Sequence, residues 1–174
     1  LEFRRVLFRS VGAHHGQEYD EYINTFGNIK THWFEPLKSA FIILIERIAK
    51  YENVYLYPFA LGEEKCNLYL NVDNQNEGQS SSILSPKEHI NIFPHIKFES
   101  KQIVYVKPLD FFDIKDSNML VLDTQGYELK CLKGSIQTLK HIKYIFAEFN
   151  TIELYEGCPT FDEINMFLNE HGFY

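Results

Sequence analysis

Glycines and a carboxylate stand directly after two stretches of this sequence that are typical of β-strands. Gly12 and Gly16 lie four residues apart in the loop VGAHHG, and Glu35 follows the predicted strand over residues 30–34. At this place in nucleotide-binding sheets, a carboxylate can accept both hydroxyls of a ribose. Alone, the glycines could serve only close packing, and Glu35 could be a solvated acid at a helix start. Together they favour a site for NAD or S-adenosylmethionine.

Three further carboxylates are candidates for a general base, a role that typically contributes about 10²- to 10⁴-fold to a rate. Asp123 is the first choice, because it ends an apolar stretch immediately before a glycine-containing turn. Glu128, one turn into a predicted helix, equally fits a surface role stabilised by the helix dipole. Glu148 follows another apolar stretch, where burial would raise its pKa or a backbone amide would bind it.

Strand-like and helix-like segments alternate through most of the chain, which predicts an α/β fold with a doubly wound, mostly parallel sheet. Apolar residues at i, i+4, i+7, i+8 and i+11 indicate a helix over residues 36–51. Thr160 and Glu163 have the spacing of a capping box. The predicted strands are residues 30–34, 53–61, 67–73, 101–107, 118–123 and 142–149, and the helices are 17–26, 36–51, 127–139 and 160–170. The strands at 53–61, 118–123 and 142–149 look buried on both faces.

Composition narrows the class of protein. A chain of 174 residues with 45% hydrophobic residues fits one domain and needs neither disulfides nor a structural metal. Its three cysteines, none in a CxxC pair, favour a reducing compartment, and so a cytoplasmic location. A net charge of -7 is the wrong sign for nucleic acid. A segment that spans a bilayer needs about 20 apolar residues, and no apolar run in this sequence approaches that length, which argues against membrane insertion. The oligomeric state stays open.

Residues 1–10, LEFRRVLFRS, are expected to be foreign to the protein. The decapeptide resembles the translation of a common sequencing-library adapter, and it holds three of the four arginines of the chain, Arg4, Arg5 and Arg9. We therefore expect residues 11–174 to be the natural domain. The domain is expected to be incomplete, since its final GFY resembles the entry to another strand. The apolar letters of the decapeptide could still join the sheet as a strand over residues 5–11.

The ordered motifs VGAHHG, FEP, ALG, LDTQGYELKCLKG, AEF and LYEG decide between the two cofactors. This set, which extends from Val11 to Tyr174, resembles the FkbM family of S-adenosylmethionine-dependent methyltransferases. The resemblance implies a Rossmann-like class I methyltransferase sheet, truncated at both ends. It also implies O-methylation of a small molecule or of a sugar or glycan hydroxyl.

The same resemblance implies which residues contact S-adenosylmethionine. From the methionine end through the ribose to adenine, these are Val11, Gly12, Ala13, His14 and Gly16, then Glu35 and Pro36, then Ala60 and Leu61, with Asp123 facing the crevice. One position departs from the family pattern: an acidic residue usually precedes Val-Gly-Ala, and Ser10 stands there in this chain.

Other interpretations of the sequence remain open. An NAD-dependent oxidoreductase would use Glu35 in a similar way, although the glycine spacing is not GxGxxG and no Tyr-x-x-x-Lys pair occurs. A catalytically inactive Rossmann-like domain could keep the sheet and bind only a partner. No metal site is expected, because the adjacent His14 and His15 cannot easily face one ion. Residues 80–82, three serines, could donate hydroxyls to the site, close over it, or belong to a solvated linker.

Overall fold

The computed structural model describes residues 8–174, which form a five-stranded and a three-stranded sheet with helices around them. No helix of this described part is long and apolar enough to cross a membrane. The predicted capping box is confirmed at Thr160, which is the N-cap of the helix Phe161–Glu170. In chain order the elements are β1 (Phe8–Val11), α1 (Tyr19–Phe26), β2 (Thr31–Phe34), α2 (Lys38–Ile48), β3 (Val54–Tyr57), β4 (Ala60–Leu61), β5 (Cys66–Val72), α3 (His89–Ile92), β6 (Ser100–Lys107), a 3-10 helix (Leu109–Phe112), β7 (Met119–Leu122), α4 (Glu128–Lys133), α5 (Ile136–Leu139), β8 (Tyr144–Ala147) and α6 (Phe161–Glu170).

The larger sheet is parallel throughout and has the strand order β3-β2-β1-β7-β8. The chain runs outward from β1 through β2 to β3, and later returns to the other side of β1 to add β7 and β8. The connections therefore diverge between β1 and β7, where Val11 lies opposite Leu122. Doubly wound sheets bind ligands in the crevice at such a switch point. The predicted fold class is confirmed, and its crevice lies beyond the carboxyl ends of β1 and β7.

Helices cover both faces of the larger sheet, because neighbouring residues of a strand point to opposite sides. Trp33 packs with Leu44 and Ile48 on the face covered by α1 and α2. Phe34 packs on the other face in a core that includes Leu132 of α4. Both aromatic side chains are fully buried, and burial of each contributes about 1.5–3 kcal/mol. This packing fixes the end of β2, and hence the backbone that carries Glu35.

The smaller sheet forms a second wall beside the crevice. Its strand order is β4-β6-β5, with β4 parallel and β5 antiparallel to β6. Leu37 and Ala40, at the start of α2, pack against Ala60, Leu70 and Val104 of this sheet. The start of α2 thus lies between the two sheets, immediately after Glu35.

Two predicted elements are each divided in the structure. The strand predicted for residues 53–61 is two strands, β3 and β4, which belong to different sheets. Pro58 follows β3 directly and has no N–H to donate, so the pairing ends there and the chain crosses to β4. The helix predicted for residues 127–139 is α4 followed by α5. It breaks at Gly134, where a Cβ atom would lie 1.9 Å from the carbonyl oxygen of Gly62.

The prediction that β3 and β8 are buried on both faces is wrong. Both are edge strands of the larger sheet, and Tyr55 and Phe146 are 42% and 64% exposed. Their run of apolar and aromatic residues is the same signal that a central strand gives, so the sequence pattern cannot distinguish the two positions.

In the described part of the chain, Arg9 of β1 is a buried charged residue with an incomplete set of hydrogen-bond partners. Its side chain is fully buried and donates to the backbone carbonyl of Ile114, while Nε and Nη1 lack a hydrogen-bond partner within the described residues. Burial lowers the pKa of Arg9 to about 10. The hypothesis that residues 1–10 are foreign stays a prediction, and a poor fit at this position is what that hypothesis expects. Residues 1–7 lie outside the described part of the chain.

We expect Arg9→Leu to raise the free energy of unfolding by about 1–4 kcal/mol, because an incompletely paired buried charge costs more than an apolar side chain of similar size. Urea unfolding followed by circular dichroism measures the change. Arg47→Leu, at an exposed position of α2, is the control and should change stability little. Loss of stability in Arg9→Leu would show that the guanidinium contacts outweigh their desolvation.

Candidate cofactor and active site

A cavity of about 400 Å³ opens at the switch point between the two sheets. Its size lies in the range of sites for small molecules and cofactors. Residues at or directly after the ends of β1, β2, β7 and β8 of the larger sheet meet residues of the smaller sheet and of the segment after β5. The lining comprises Val11, Gly12, His14, Gln17, Glu18, Phe34, Glu35, Pro36, Phe59, Ala60, Leu61, Leu70, Asn76, Gly78, Gln79, Ser80, Ser81, Ile83, Asp123, Thr124, Gln125, Tyr127 and Glu148.

The turn after β1 is built around a glycine that touches the end of β7. Gly12 has a φ of +78°, and a Cβ atom there would lie 1.7 Å from the carbonyl oxygen of Asp123. The backbone N–H groups of Gly12 and Ala13 both donate to the carbonyl of Phe34, at 3.1 Å. Only a residue without a side chain lets the ends of β1, β2 and β7 come this close.

Glu35 directs its carboxylate at this turn. One carboxylate oxygen accepts from the backbone N–H of His14 at 2.7 Å, and the other accepts from that of Leu37, also at 2.7 Å. Burial raises the pKa of Glu35 to about 7, and the charge of Asp123 adds to the rise, although the two backbone hydrogen bonds oppose it. Each oxygen keeps a second lone pair, so the carboxylate can also accept ligand hydroxyls.

Asp123 and Glu148 form a carboxyl pair on the far side of the crevice. The two side chains share a hydrogen bond, and partial burial together with the negative charge of Asp123 raises the pKa of Glu148 to about 7. Asp123 also accepts from the side-chain amide of Gln125 at 2.7 Å. Near pH 7 the pair can therefore hold a single proton, since two adjacent carboxylates disfavour each other's ionisation.

The structure brings most of the sequence-predicted site residues together around the cavity. Those that line it are Val11, Gly12, His14, Glu35, Pro36, Ala60, Leu61, Asp123 and Glu148. Their roles toward a ligand stay predictions.

Ala13, Gly16 and Glu128 do not line the cavity. Ala13 belongs to the buried cluster around Trp33, and a Cβ atom on Gly16 would lie 2.7 Å from a methyl group of Leu44. Both residues face the core, so packing accounts for their small size.

Glu128 was a candidate for the general base, but its side chain lies outside the cavity lining and binds the turn after β7. It is buried, and one of its oxygens accepts from the backbone N–H groups of Thr124 and Gly126 and from the hydroxyl of Thr124. Burial raises the pKa of Glu128, and these hydrogen bonds oppose the rise.

The polar segment after β5 is an ordered wall of the cavity and not a solvated linker. Asp73, buried at its start, accepts from the backbone N–H groups of Gln75, Asn76 and Ser80. Ser82 donates its hydroxyl to the carbonyl of Gln125 at 2.7 Å. Residues 76 and 78–81 consequently face the cavity.

Sequence reasoning missed the residues that reach the cavity from distant segments. The sequence left residues 80–82 open as hydroxyl donors, a closing segment or a linker, and it carried no signal for where they pack. The motif LYEG indicated no role for Tyr155. This residue is fully buried, and its hydroxyl donates to the carbonyl of Ser80. An apolar position for Leu70 was expected, whereas its contact with the site was not.

The paired histidines show no metal-binding arrangement. The rings of His14 and His15 stack with centroids 3.7 Å apart, and His14 Nε2 lies 2.9 Å from the carbonyl oxygen of Glu77. Throughout residues 8–174, no three His, Cys, Asp or Glu side chains are grouped so that they could hold a metal ion.

A doubly wound sheet with a glycine turn after β1, an acid after β2 and a crevice at the switch point defines a protein of the Rossmann-like class. Within that class, the family model for the methyltransferase FkbM domain matches residues 10–174. The chain belongs to this family, and the resemblance seen in its motifs is confirmed.

Two relatives agree with the family. The chain is 22% identical over 166 residues to the 2-O-methyltransferase NoeI of Sinorhizobium fredii, covering 90% of this chain and 68% of NoeI. The fold is similar to the crystal structure of methyltransferase FkbM from Methylobacillus flagellatus KT, with a TM-score of 0.56 and 16% identity. That match covers 82% of this chain and 32% of the solved chain, so the present chain corresponds to about a third of it. These matches do not favour an oxidoreductase or an inactive binding domain.

Proposed function

We propose that this chain is the cofactor-binding part of an S-adenosylmethionine-dependent O-methyltransferase that acts on a hydroxyl of a small molecule, such as a sugar or glycan. The observation that carries the proposal is the Glu35 carboxylate, held at 2.7 Å from the turn after β1 across the crevice from Asp123. Family membership supports methyl transfer, and the name of NoeI supports oxygen as the acceptor atom.

The residues present fit S-adenosylmethionine. Glu35 would accept the ribose hydroxyls, the backbone of Gly12 and His14 would lie along the methionine end, and Ala60 and Leu61 would give an apolar surface to adenine. Four of the lining residues are acidic, Glu18, Glu35, Asp123 and Glu148, and none of the lining residues within the described chain is Lys or Arg. This lining complements a cation. The bound cofactor supplies a methyl group already activated on a sulfonium.

The same charge pattern bears on the acceptor. Phosphate groups of an acceptor are normally held by Arg or Lys, which the described lining does not contain. Its uncharged polar residues are amides and hydroxyls, namely Gln17, Asn76, Gln79, Ser80, Ser81, Thr124, Gln125 and Tyr127. These groups match the alternating donors and acceptors of a neutral polyhydroxylated molecule.

Asp123 is the proposed base. Its carboxylate would take the proton from the acceptor hydroxyl as the oxygen bonds to the methyl carbon. Most of the rate gain comes from alignment of the two reactants, which is worth up to about 7–11 kcal/mol in well-oriented systems, and the base adds less.

The cellular setting is part of the same proposal. The three cysteines of the chain are free, which supports a reducing, cytoplasmic location. The excess of 24 acidic over 17 basic residues supports an acceptor other than nucleic acid.

Calorimetry with S-adenosylhomocysteine tests the cofactor assignment through Glu35. We expect Glu35→Gln to weaken binding about 10- to 100-fold at pH 8, since hydrogen bonds to a charged group contribute about 1.5–3 kcal/mol. In the parent protein, affinity should rise as pH increases through about 7, where Glu35 loses its proton. This dependence should disappear in the variant.

The exposed Glu52→Gln variant is the matched control, and its affinity should equal that of the parent. Equal binding by Glu35→Gln would refute the ribose role. Binding of NAD in place of S-adenosylhomocysteine would favour the oxidoreductase alternative, and binding of neither would favour an inactive domain.

A further inference from the structure

Gln125 lies at the centre of a side-chain network that ends on the proposed base. Its amide nitrogen donates to Asp123 Oδ1 at 2.7 Å, and its amide oxygen lies 3.1 Å from the hydroxyl of Tyr155. The same hydroxyl donates to the carbonyl of Ser80 at 2.8 Å. The network therefore connects the carboxyl pair to the polar segment on the opposite wall of the cavity.

Hydrogen bonds hold both the backbone and the side-chain amide of Gln125. Its backbone carbonyl accepts the hydroxyl of Ser82 at 2.7 Å, and its backbone has a φ of +54°. Tyr155 is fully buried, and its single hydroxyl proton is shared between the carbonyl of Ser80 and the amide oxygen of Gln125. With its oxygen accepting from Tyr155, the amide of Gln125 donates its N–H group to Asp123.

This arrangement makes the two members of the carboxyl pair unequal. The N–H group of Gln125 lies 2.7 Å from Asp123 Oδ1, and a donor at such a distance favours the ionised form of a carboxyl group. The other titratable groups that face the pair are Glu35 from β2, Glu128 from α4 and Tyr155. Every one of them is neutral or negative, so a second negative charge is disfavoured and the pair retains a proton near pH 7.

We propose that Gln125 is a positioning residue whose amide selects Asp123 as the ionised carboxyl of the pair and leaves the shared proton on Glu148. The amide also holds Asp123 Oδ1 in place, in a carboxylate that lines the cavity. That Asp123 then acts as a base toward an acceptor hydroxyl rests on the proposed function. The distribution of the proton does not rest on it.

Carboxyl ¹³C NMR measures the proton distribution without any acceptor. The Asp and Glu side-chain carboxyl carbons are labelled, the signals of Asp123 and Glu148 are assigned through Asp123→Asn and Glu148→Gln, and spectra are recorded from pH 4 to 9. In the parent protein, we expect the upper titration step of the pair to appear mainly at Glu148. In Gln125→Leu, the ratio of that step at Glu148 to that at Asp123 should fall about tenfold, the effect of losing one hydrogen bond to a charged group.

Two further variants keep this test decisive. Gln137→Leu, which removes an exposed glutamine of α5, is the control and should leave the ratio unchanged. If Gln125→Leu does not fold, Gln125→Met keeps the length of the side chain and removes the donor without adding a titratable group, and the ratio should fall again. An unchanged ratio in a folded Gln125 variant would overturn the proposal.

The pH profile of methyl transfer separates this inference from the proposed function. If both hold, Gln125→Leu shifts the profile and lowers kcat, while KM for S-adenosylmethionine stays within about threefold, because the amide touches the base and not the ribose site. If the NMR ratio changes and no hydroxyl is methylated by the parent protein, the positioning role stands and the proposed function fails. If methyl transfer occurs and the NMR ratio does not change, the proposed function stands and the positioning role of Gln125 fails.

Discussion

Asp123→Asn is expected to lower turnover about 10²- to 10⁴-fold, the usual contribution of a positioned base. Asparagine keeps the shape of the side chain and can still accept from Gln125, so the turn after β7 should keep its structure. Residual turnover is also expected, because alignment of the reactants does not depend on the base. The measurement is transfer of labelled methyl from S-adenosylmethionine to a panel of neutral methyl glycosides.

Two comparisons decide what a loss of turnover means. Calorimetry should show that Asp123→Asn binds S-adenosylhomocysteine within about threefold of the parent, which separates chemistry from binding. Glu148→Gln should lose less turnover than Asp123→Asn, since Glu148 carries the proton of the pair. The opposite order of the two variants, or full turnover in Asp123→Asn, would assign the base role elsewhere.

The sequence was most informative where a site residue stands next to a strand. Gly12, Glu35, Asp123 and Glu148 each follow a strand directly, and parallel strands bring their carboxyl ends to one edge of a sheet. For such residues, the position of the strand alone predicts the position of the side chain. All four line the cavity, although none of their proposed roles is thereby tested.

The residues that sequence reasoning could not place reach the cavity through contacts between distant parts of the chain. Tyr155 and Ser80 are 75 positions apart, and a hydrogen bond between a hydroxyl and a backbone carbonyl leaves no pattern in composition or periodicity. Leu70 belongs to a second sheet whose packing beside the first could not be derived from alternation within one strand. Long-range packing of this kind is what determines the opposite wall of the site.

Adjacency along the chain also explains the residues that were assigned to the site and do not line it. Ala13 and Gly16 share the VGAHHG turn with Gly12 and His14, but the turn places the two pairs on different sides. Gly12 and His14 line the cavity, while Ala13 and Gly16 pack toward Trp33 and Leu44. A motif identifies the turn, and only the backbone conformation decides which of its residues meet a ligand.

Gly12→Ala is expected to have the broadest effect of any single substitution at the site. The added Cβ atom would lie 1.7 Å from the carbonyl oxygen of Asp123, which is a backbone atom and not the end of a flexible side chain. That oxygen cannot move freely, because Asp123 N donates to the carbonyl of Val11 at 3.0 Å in the pairing of β1 with β7. The two strands must therefore separate at the switch point. Overpacking and a positive φ together should lower the free energy of unfolding by about 2–5 kcal/mol.

Separation of β1 from β7 should also displace the turn relative to both Glu35 and Asp123. We expect S-adenosylhomocysteine affinity to fall at least about tenfold and turnover at least about 10²-fold, the scale of effect that a misplacement of ~1 Å can have. Gly27→Ala is a close control, because Gly27 has a φ of +80° and nothing within 4 Å of an added Cβ. Strain alone should cost that variant about 1–2 kcal/mol and leave binding unchanged. If Gly12→Ala matches Gly27→Ala in both stability and affinity, contact between the ends of β1 and β7 does not shape the site.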